Sequence, residues 1–324
     1  MTPAPSQTLT PDSWWRTYGP CIVGAVILLT APHFFYPLFL AKILCFALFA
    51  CAFNLLLGSC GLLSFGHAAY YGTAAYVAAH AAKGLNLPFE LSIVLGALTA
   101  GVLGAGFGYL SIRRQGLQFA MITLALAQLI YFLALQLPFT HAEDGLTGVP
   151  RGKVLGLFSL DDTKTLYYTV AVIFVLGLLC VYRITHSTFG QVLRSIRDNE
   201  PRAISLGFDT NQFKLLAFTL SATLAGVAGA TKAITFKLAT LTDVHWSTSG
   251  AVILMTVLGG LGTFWGPVVG AIIVVTLEDY LADSGLPIDM AIGVIFILCI
   301  LLFRRGVVGE LQTLLLHRSS RPKS

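Results

Sequence analysis

The sequence predicts an all-α membrane protein, a polytopic helical bundle of about eight to ten spans with a glycine-rich broken or re-entrant segment near residues 247–277, and three observations predict it. First, 56% of the 324 residues are hydrophobic and only 11% are charged, with a mean hydropathy of +0.80. A soluble domain carries about 25% charged residues, so this chain has too little charge to cover a globule in water, and lipid must solvate much of its surface. Second, the apolar residues fall in runs long enough to cross a bilayer, which takes about 20 helical residues. Third, the chain holds 32 glycines, and small residues let membrane helices approach closely. The formal charge of +5 is spread between the apolar runs rather than gathered in a patch. That argues against a nucleic-acid partner and suits flanks that set membrane orientation.

Taken in order, the runs place spans at 18–35, 37–57, 63–82, 88–112, 116–137, 166–183 and 213–236, then a long run at 247–277 and a last span at 287–303. A polar, proline-rich tail, residues 1–17, precedes this single transmembrane domain, with no cleavable signal peptide expected. A basic tail, residues 304–324, follows it. Arg16, Arg113, Arg114, Arg183, Arg194, Arg197, Arg202, Lys214, Arg304, Arg305, Arg318, Arg321 and Lys323 are assigned to the cytoplasmic side. Glu143, Asp144, Asp161, Asp162, Glu278, Asp279, Asp283 and Asp289 fall opposite. With both termini cytoplasmic, the spans alternate correctly only if 247–277 does not cross once. As one helix that run would be about 45 Å long, against a hydrocarbon core of about 30 Å. Its middle, Gly259-Gly260-Leu261-Gly262-Thr263-Phe264-Trp265-Gly266-Pro267, cannot stay helical. Two short segments entering and leaving on the outer face, or two short spans, both restore the alternation.

Two helices carry ridges of small residues every four positions: Gly96, Ala100, Gly104 and Gly108 on one, Ala222, Gly226 and Ala230 on the other. These are helix-packing faces. The six cysteines, Cys21, Cys45, Cys51, Cys60, Cys180 and Cys299, form no CxxC pair, so they read as packing residues and neither metal nor cofactor is expected. The sequence lacks a phosphate-binding GxxxxGK[ST] loop, a nucleophile elbow and an HExxH motif. It is not expected to be an enzyme. Lys42, Lys232 and Lys237 lie near span ends, where lysines snorkel. His67 and His80 suit hydrogen-bonded interior histidines better than a proton relay, so an ion-driven carrier lacks its internal acids.

Polar residues inside an apolar run need internal partners or water. Asn54, Ser59, Ser64 and His67 cluster where Gly58 and Gly61 interrupt a helix, and with Gly259, Gly260 and Gly262 they are candidates for a solute path; a structural role is the equal alternative. The longest polar stretch, a cytoplasmic loop at 185–212, reads as an amphipathic helix bearing Val192, Leu193 and Ile196. A break follows at Asn199, where a cap would sit, with Pro201 in the next first turn and Gly207 as a stop. It would lie on lipid or dock a cytoplasmic partner.

Within that stretch, Glu200-Pro201-Arg202-Ala203-Ile204-Ser205-Leu206-Gly207 resembles the Glu…Ala…Gly loop by which the permeases of ABC importers engage their ATPases. Asn54-Leu55-Leu56-Leu57-Gly58-Ser59-Cys60-Gly61-Leu62-Leu63-Ser64-Phe65-Gly66-His67 resembles the signature of branched-chain amino acid permeases, the LivM-type subunit. Glu143-Asp144-Gly145-Leu146 before Pro150, Lys214-Leu215-Leu216-Ala217-Phe218, the Leu258–Pro267 stretch and Arg305-Gly306 extend the match from about Asn54 to Gly306. The resemblance implies an ATP-driven importer subunit in a bacterial inner membrane. Its partners would be two ATPase subunits, a second homologous permease and a soluble substrate-binding protein. The small-molecule solute would be a branched-chain or other hydrophobic amino acid, with urea, amides and aromatic acids handled by relatives. Gly190, Arg194, Arg197, Glu200, Ala203 and Gly207 would be the ATPase-coupling residues. One departure stands out: Thr140-His141-Ala142 replaces a Thr-Gly-Gly common in the family. The competing reading is a self-sufficient channel or facilitator for small polar solutes.

Overall fold

The computed structural model describes residues 24–142, 144–154, 156, 158–282, 293, 294, 297 and 306–310. Expectations for Arg16, Cys21, Glu143, Asp283, Asp289, Cys299, Arg304, Arg305, Arg318, Arg321, Lys323, both tails and most of the last span lie outside these residues. The described chain is helical, with five helices long and apolar enough to cross a membrane.

A short apolar helix, α1 (Gly24–His33), leads to α2 (Pro37–Cys60). Proline suits the first turn of α2 because its missing N–H has no partner there in any case. Apolar on all sides, α2 is buried on all sides, with 67% of its most apolar stretch covered by protein. It ends on Gly61, whose φ of +75° makes the left-handed cap that glycine adopts without strain. Next come α3 (His67–Lys83), α4 (Phe89–Ser111), α5 (Leu117–Gln136) and α6 (Thr163–His186). Two short helices, α7 (Thr188–Asp198) and α8 (Glu200–Ser205), precede the long α9 (Thr210–Phe236). The expected third span at 63–82 begins as helix only at His67. Residues 61–66 are not helical, and α3 is a 17-residue helix, shorter than a full crossing.

α9 is the second central helix, 61% covered, and it joins two cores. One, built on α3, α4 and α5, meets it through Phe218, Ala222, Ala230 and Ile234; the other, built on α2, α6 and the last helices, through Leu224, Ala225 and Ala228. α4, α5 and α6 are only 39%, 28% and 44% covered, and their outer faces (Leu98, Val102, Met121, Phe132, Leu176, Leu179) are lipid-facing in composition.

The two small-residue ridges meet each other. A Cβ on Gly96 would lie 3.0 Å from Ala230 Cβ, one on Gly226 would collide with Ala100, one on Gly104 with Ala222, and one on Gly108 would lie 3.0 Å from Phe218. The pairs 96–230, 100–226, 104–222 and 108–218 step by four in opposite directions, so α4 and α9 run antiparallel with their backbones in near contact. No hydrophobic effect drives helices together in lipid; van der Waals packing of this kind does.

At the end of the bundle where α9 finishes, β1 (Leu146–Thr147) pairs antiparallel with β4 (Leu238–Ala239), and β2 (Lys153–Val154) pairs with β3 (Phe158–Ser159). Gly145 takes φ +66°, and a side chain there would strike the Ala239 carbonyl. His141 and Ala142, in place of Gly-Gly, also take positive φ, +57° and +52°.

The run at 247–277 is broken, as its glycines predict. α10 (Trp246–Gly259) and α11 (Gly266–Ala282) form an antiparallel hairpin. Gly270 abuts the Met255 carbonyl and Gly259 abuts the Gly266 carbonyl, contacts that leave no room for a side chain.

Candidate functional site

At the opposite end of the bundle from β1, a cavity of about 320 Å³ lies between the last turns of α2 and α6, the helix α7 and the tip of the α10–α11 hairpin. Asn54, Ser59, Arg194, Arg197, Gly262 and Phe264 are among its walls. Two sets of residues that the sequence presents separately, the solute-path candidates Asn54, Ser59 and Gly262 and the coupling candidates Arg194 and Arg197, therefore meet here.

The local chemistry follows from helix ends. The last carbonyls of a helix lack intrahelical partners and carry the negative end of its dipole, so cations are favoured there. Arg197 Nη1 donates to the Gly58 carbonyl in the last turn of α2. Arg194 Nη2 donates to the Thr185 carbonyl at the end of α6. One short helix thus caps two long ones. The remaining guanidinium nitrogens of Arg197, Nε and Nη2, donate to Asp198 Oδ1 at 3.1 and 3.0 Å, which fixes the fork in place. Glycine admits this arrangement at Gly61, where a Cβ would lie 2.9 Å from Arg197 Cγ, and at Gly190, where it would strike the Thr185 and Ile184 carbonyls.

Asn54 fastens the hairpin tip to α2. Its Nδ2 donates to the Thr263 carbonyl at 3.1 Å, and its Oδ1 accepts the Gly262 N–H at 3.2 Å. Both backbone groups lie in the break between two helices, where no helical partner exists, so one side-chain amide satisfies a donor and an acceptor at once. A Cβ on Gly58 would lie 2.5 Å from Asn54 Oδ1 and 3.1 Å from Gly262 Cα, so the approach needs glycine. Gly260 and Gly262 take φ +121° and +73°, and Gly306 lies backbone to backbone on Gly260. Ser59 lines the cavity.

Behind this junction, the coupling segment divides into an inner and an outer side. Leu193, Ile196 and Ala203 are buried against the bundle. Glu200 also faces inward: it pairs with Lys214 of α9, whose side chain is 4% exposed, and accepts from Gln115 Nε2 at 2.7 Å. Asn199 and Asp209 cap α8 and α9 through their side chains, as a cap residue at a chain break should. Outward point Arg202, Ile204 (56% exposed), Leu206 (67%), Gly207 and Phe208 (37%). The sequence marks Ala203 and Glu200 for a partner, yet the structure turns both toward the protein itself. In the sequence Ile204 and Leu206 continue the apolar component of this stretch, whereas Phe208 and Gln115 carry no signal of their own.

Ser64 and His67 stand apart from the cavity. Ser64 Oγ accepts the Gly66 N–H at 3.2 Å and shapes the turn into α3. His67 is fully buried among Phe53, Tyr70 and Phe218. Its Nε2 meets Ser221 Oγ at 2.9 Å, and Ser221 donates its own hydrogen to the Ala52 carbonyl. The serine hydrogen being spent, Nε2 carries the proton, and the chain ends on a backbone carbonyl. This arrangement ties α3 to α9 and α2 and offers no onward path for a proton. Gly259 lies where the hairpin arms cross, outside the cavity wall.

No group of three or more His, Cys, Asp or Glu side chains is placed to hold a metal among the described residues. Cys45, Cys51 and Cys60 are free and buried, as packing residues should be, whereas Cys180 is free and exposed on the outer face of α6, against the packing role expected of it.

Long apolar helices, close glycine packing and a polar segment capped onto helix ends define a multi-pass membrane protein. The chain belongs to the family of permease components of branched-chain amino acid transport systems, whose profile it matches over residues 37–303. It is 26% identical over 253 residues to the high-affinity branched-chain amino acid transport system permease protein LivM of Escherichia coli, covering 71% of this chain and 60% of that protein. The LivM protein of Salmonella typhimurium is 24% identical over 293 residues (83% and 69%), and BraD of Pseudomonas aeruginosa is 24% identical over 283 residues (82% and 92%). No solved structure matches the chain.

Proposed function

We propose that this chain is the membrane subunit of an ATP-driven importer of branched-chain or similar aliphatic amino acids, worked by separate ATPase subunits that dock on α7 and α8. A second, related permease and a soluble binding protein complete the assembly. The family and the relatives' names support the cargo. The observation that carries the mechanism is the outward row Ile204, Leu206 and Phe208 beside Arg202. These apolar side chains stand on a segment whose other side is already packed, and such exposed patches mark contact surfaces.

This docking end faces the cytoplasm, where ATP is. Charge alone does not carry that orientation, because Lys83, Arg151, Lys153 and Lys164 stand at the β1 end while Arg113, Arg183, Arg194 and Arg202 stand at the α7 end. The hairpin arms are about 21 and 26 Å long at 1.5 Å per residue, each short of a crossing of about 30 Å. Their open end lies toward Asp279, which pairs with Lys42 in the first turns of α2, and their tip lies at the docking end. We read them as a re-entrant pair, which leaves both termini cytoplasmic.

The test is Ile204→Asp with Leu206→Asp in the assembled transporter. A charge on each apolar contact should cut co-purification of the ATPases at least tenfold while the permease stays inserted. Wild-type co-purification and wild-type substrate-stimulated hydrolysis would refute the dock and leave a lipid-lying helix in its place.

A further inference from the structure

We infer that Asn54 and Arg197 are positioning residues for energy coupling: they form a relay that ties the α10–α11 hairpin to the docking helix through the last turn of α2. The inference rests on the importer reading above and concerns the side chains that join the docking helix to the bundle.

The argument begins with connectivity. Arg197 belongs to α7, and its guanidinium, partly exposed beside Asp198, reaches through Nη1 to the Gly58 carbonyl of α2. One turn earlier on α2, Asn54 holds the hairpin tip at two points, Gly262 N–H and Thr263 C=O. Gly58 lies between, so close to the tip that a Cβ added to it would sit 3.1 Å from Gly262 Cα. The path from docking helix to hairpin therefore runs through two side chains and one helical turn. Each step is a directional hydrogen bond, and the Arg197 step is charge-assisted, which makes it the stronger.

A second observation bears on movement. Tightly packed interiors transmit force but do not rearrange. The relay borders the cavity of about 320 Å³, which Asn54, Arg197 and Gly262 all line. The hairpin tip is a run of glycines in left-handed conformations, which absorbs backbone rotation without side-chain clashes. Motion of α7 thus pulls on the α2 terminus and the tip together, with free volume on one side to receive them. Arg194 performs the parallel task for α6 through the Thr185 carbonyl.

A merely structural role predicts that substitutions lower uptake and hydrolysis together. A relay predicts that they separate. The experiment reconstitutes the complete transporter in proteoliposomes and measures ATP hydrolysed per leucine carried for wild type, Asn54→Leu, Arg197→Met and the double variant, with exposed Ser195→Ala as control. Each single variant should raise the ratio at least fivefold with ATPases still bound, and the double variant should be no worse than the stronger single, because both break one chain of contacts. Should Asn54→Leu or Arg197→Met fail to insert, Asn54→Ser and Arg197→Lys retain part of each bond and should give intermediate ratios. An unchanged ratio, or effects that multiply in the double variant, overturns the relay. Loss of the ATPases from Arg197→Met also overturns it, by placing Arg197 in the dock. No ATP-driven uptake in the wild type would instead remove the importer reading, and the relay with it; a normal wild type with an unchanged ratio in the variants removes the relay alone.

Discussion

The α4–α9 ladder and the junction around Gly58 both depend on glycine, and for opposite ends. In the ladder, Gly96, Gly104 and Gly226 meet alanine methyl groups and backbone, carbonyl oxygens among it, and no polar side chain. At the junction, Gly58, Gly61 and Gly262 make room for an amide and a guanidinium beside a cavity. The first region uses small residues to bring two helices into fixed contact. The second uses them to admit hydrogen bonds that can be made and broken. A glycine-rich membrane protein therefore divides, by the neighbours of each glycine, into a close-packed frame and a hydrogen-bonded junction.

The largest effect should come from breaking the frame. Gly226→Leu would drive a side chain into Ala100, Ala97 and Gly96, backbone among them. Overpacking of this kind costs about 3 kcal/mol or more, and we expect loss of folded protein in detergent, read by thermal unfolding. Gly106→Ala is the contrast. That glycine has open space around it in a helix, and the change should leave stability equal or up to about 1 kcal/mol higher. If Gly226→Leu folds normally, the ladder is not the frame.

A middle effect is expected at the junction. Gly58→Ala collides chiefly with the Asn54 side chain, which can rotate away. The fold should survive with a loss of about 1 kcal/mol, within the ordinary range for single substitutions. Leucine uptake should fall out of proportion to that loss. A loss of folded protein equal to that of Gly226→Leu would erase the distinction between the two regions.

The smallest effect concerns glycines that are absent. His141 and Ala142 hold left-handed φ values, and each non-glycine there costs about 1 kcal/mol. His141→Gly and Ala142→Gly should each raise the unfolding midpoint slightly. A drop would show that these side chains make contacts worth more than the strain.

How much of this could be read from the sequence follows from how local each feature is. The five long apolar helices, the small-residue ridges and the broken run were legible because periodicity and glycine-proline chemistry act within a few turns. The start of α3 was not: residues 61–66 are as apolar as a span, and only the hydrogen bonds at Phe65, Gly66 and His67 show that the chain turns there. Ala203 resembles a docking residue by motif, but six residues of α8 are too few to fix which side faces inward. The junction was invisible because its partners stand 139 and 208 positions apart. Its members fall in two separate sets in the sequence, Asn54 among the solute-path candidates and Arg197 among the coupling candidates, with no signal that they share a wall.

A ladder with rungs every four residues has more than one way to close. Slide α4 along α9 by one rung, about 6 Å at 1.5 Å per residue, and Ala100 faces Ala230, Gly104 faces Gly226, and Gly108 faces Ala222: small against small again at three rungs. Sterics alone do not choose between the two alignments. The choice falls to the rails' ends, where Phe218 abuts Gly108 and where Gln115, just past α4, and Lys214 of α9 share one carboxylate, that of Glu200. A residue in the motif associated with docking therefore also serves as the index mark of the bundle, setting which of two equivalent notches the central helices occupy.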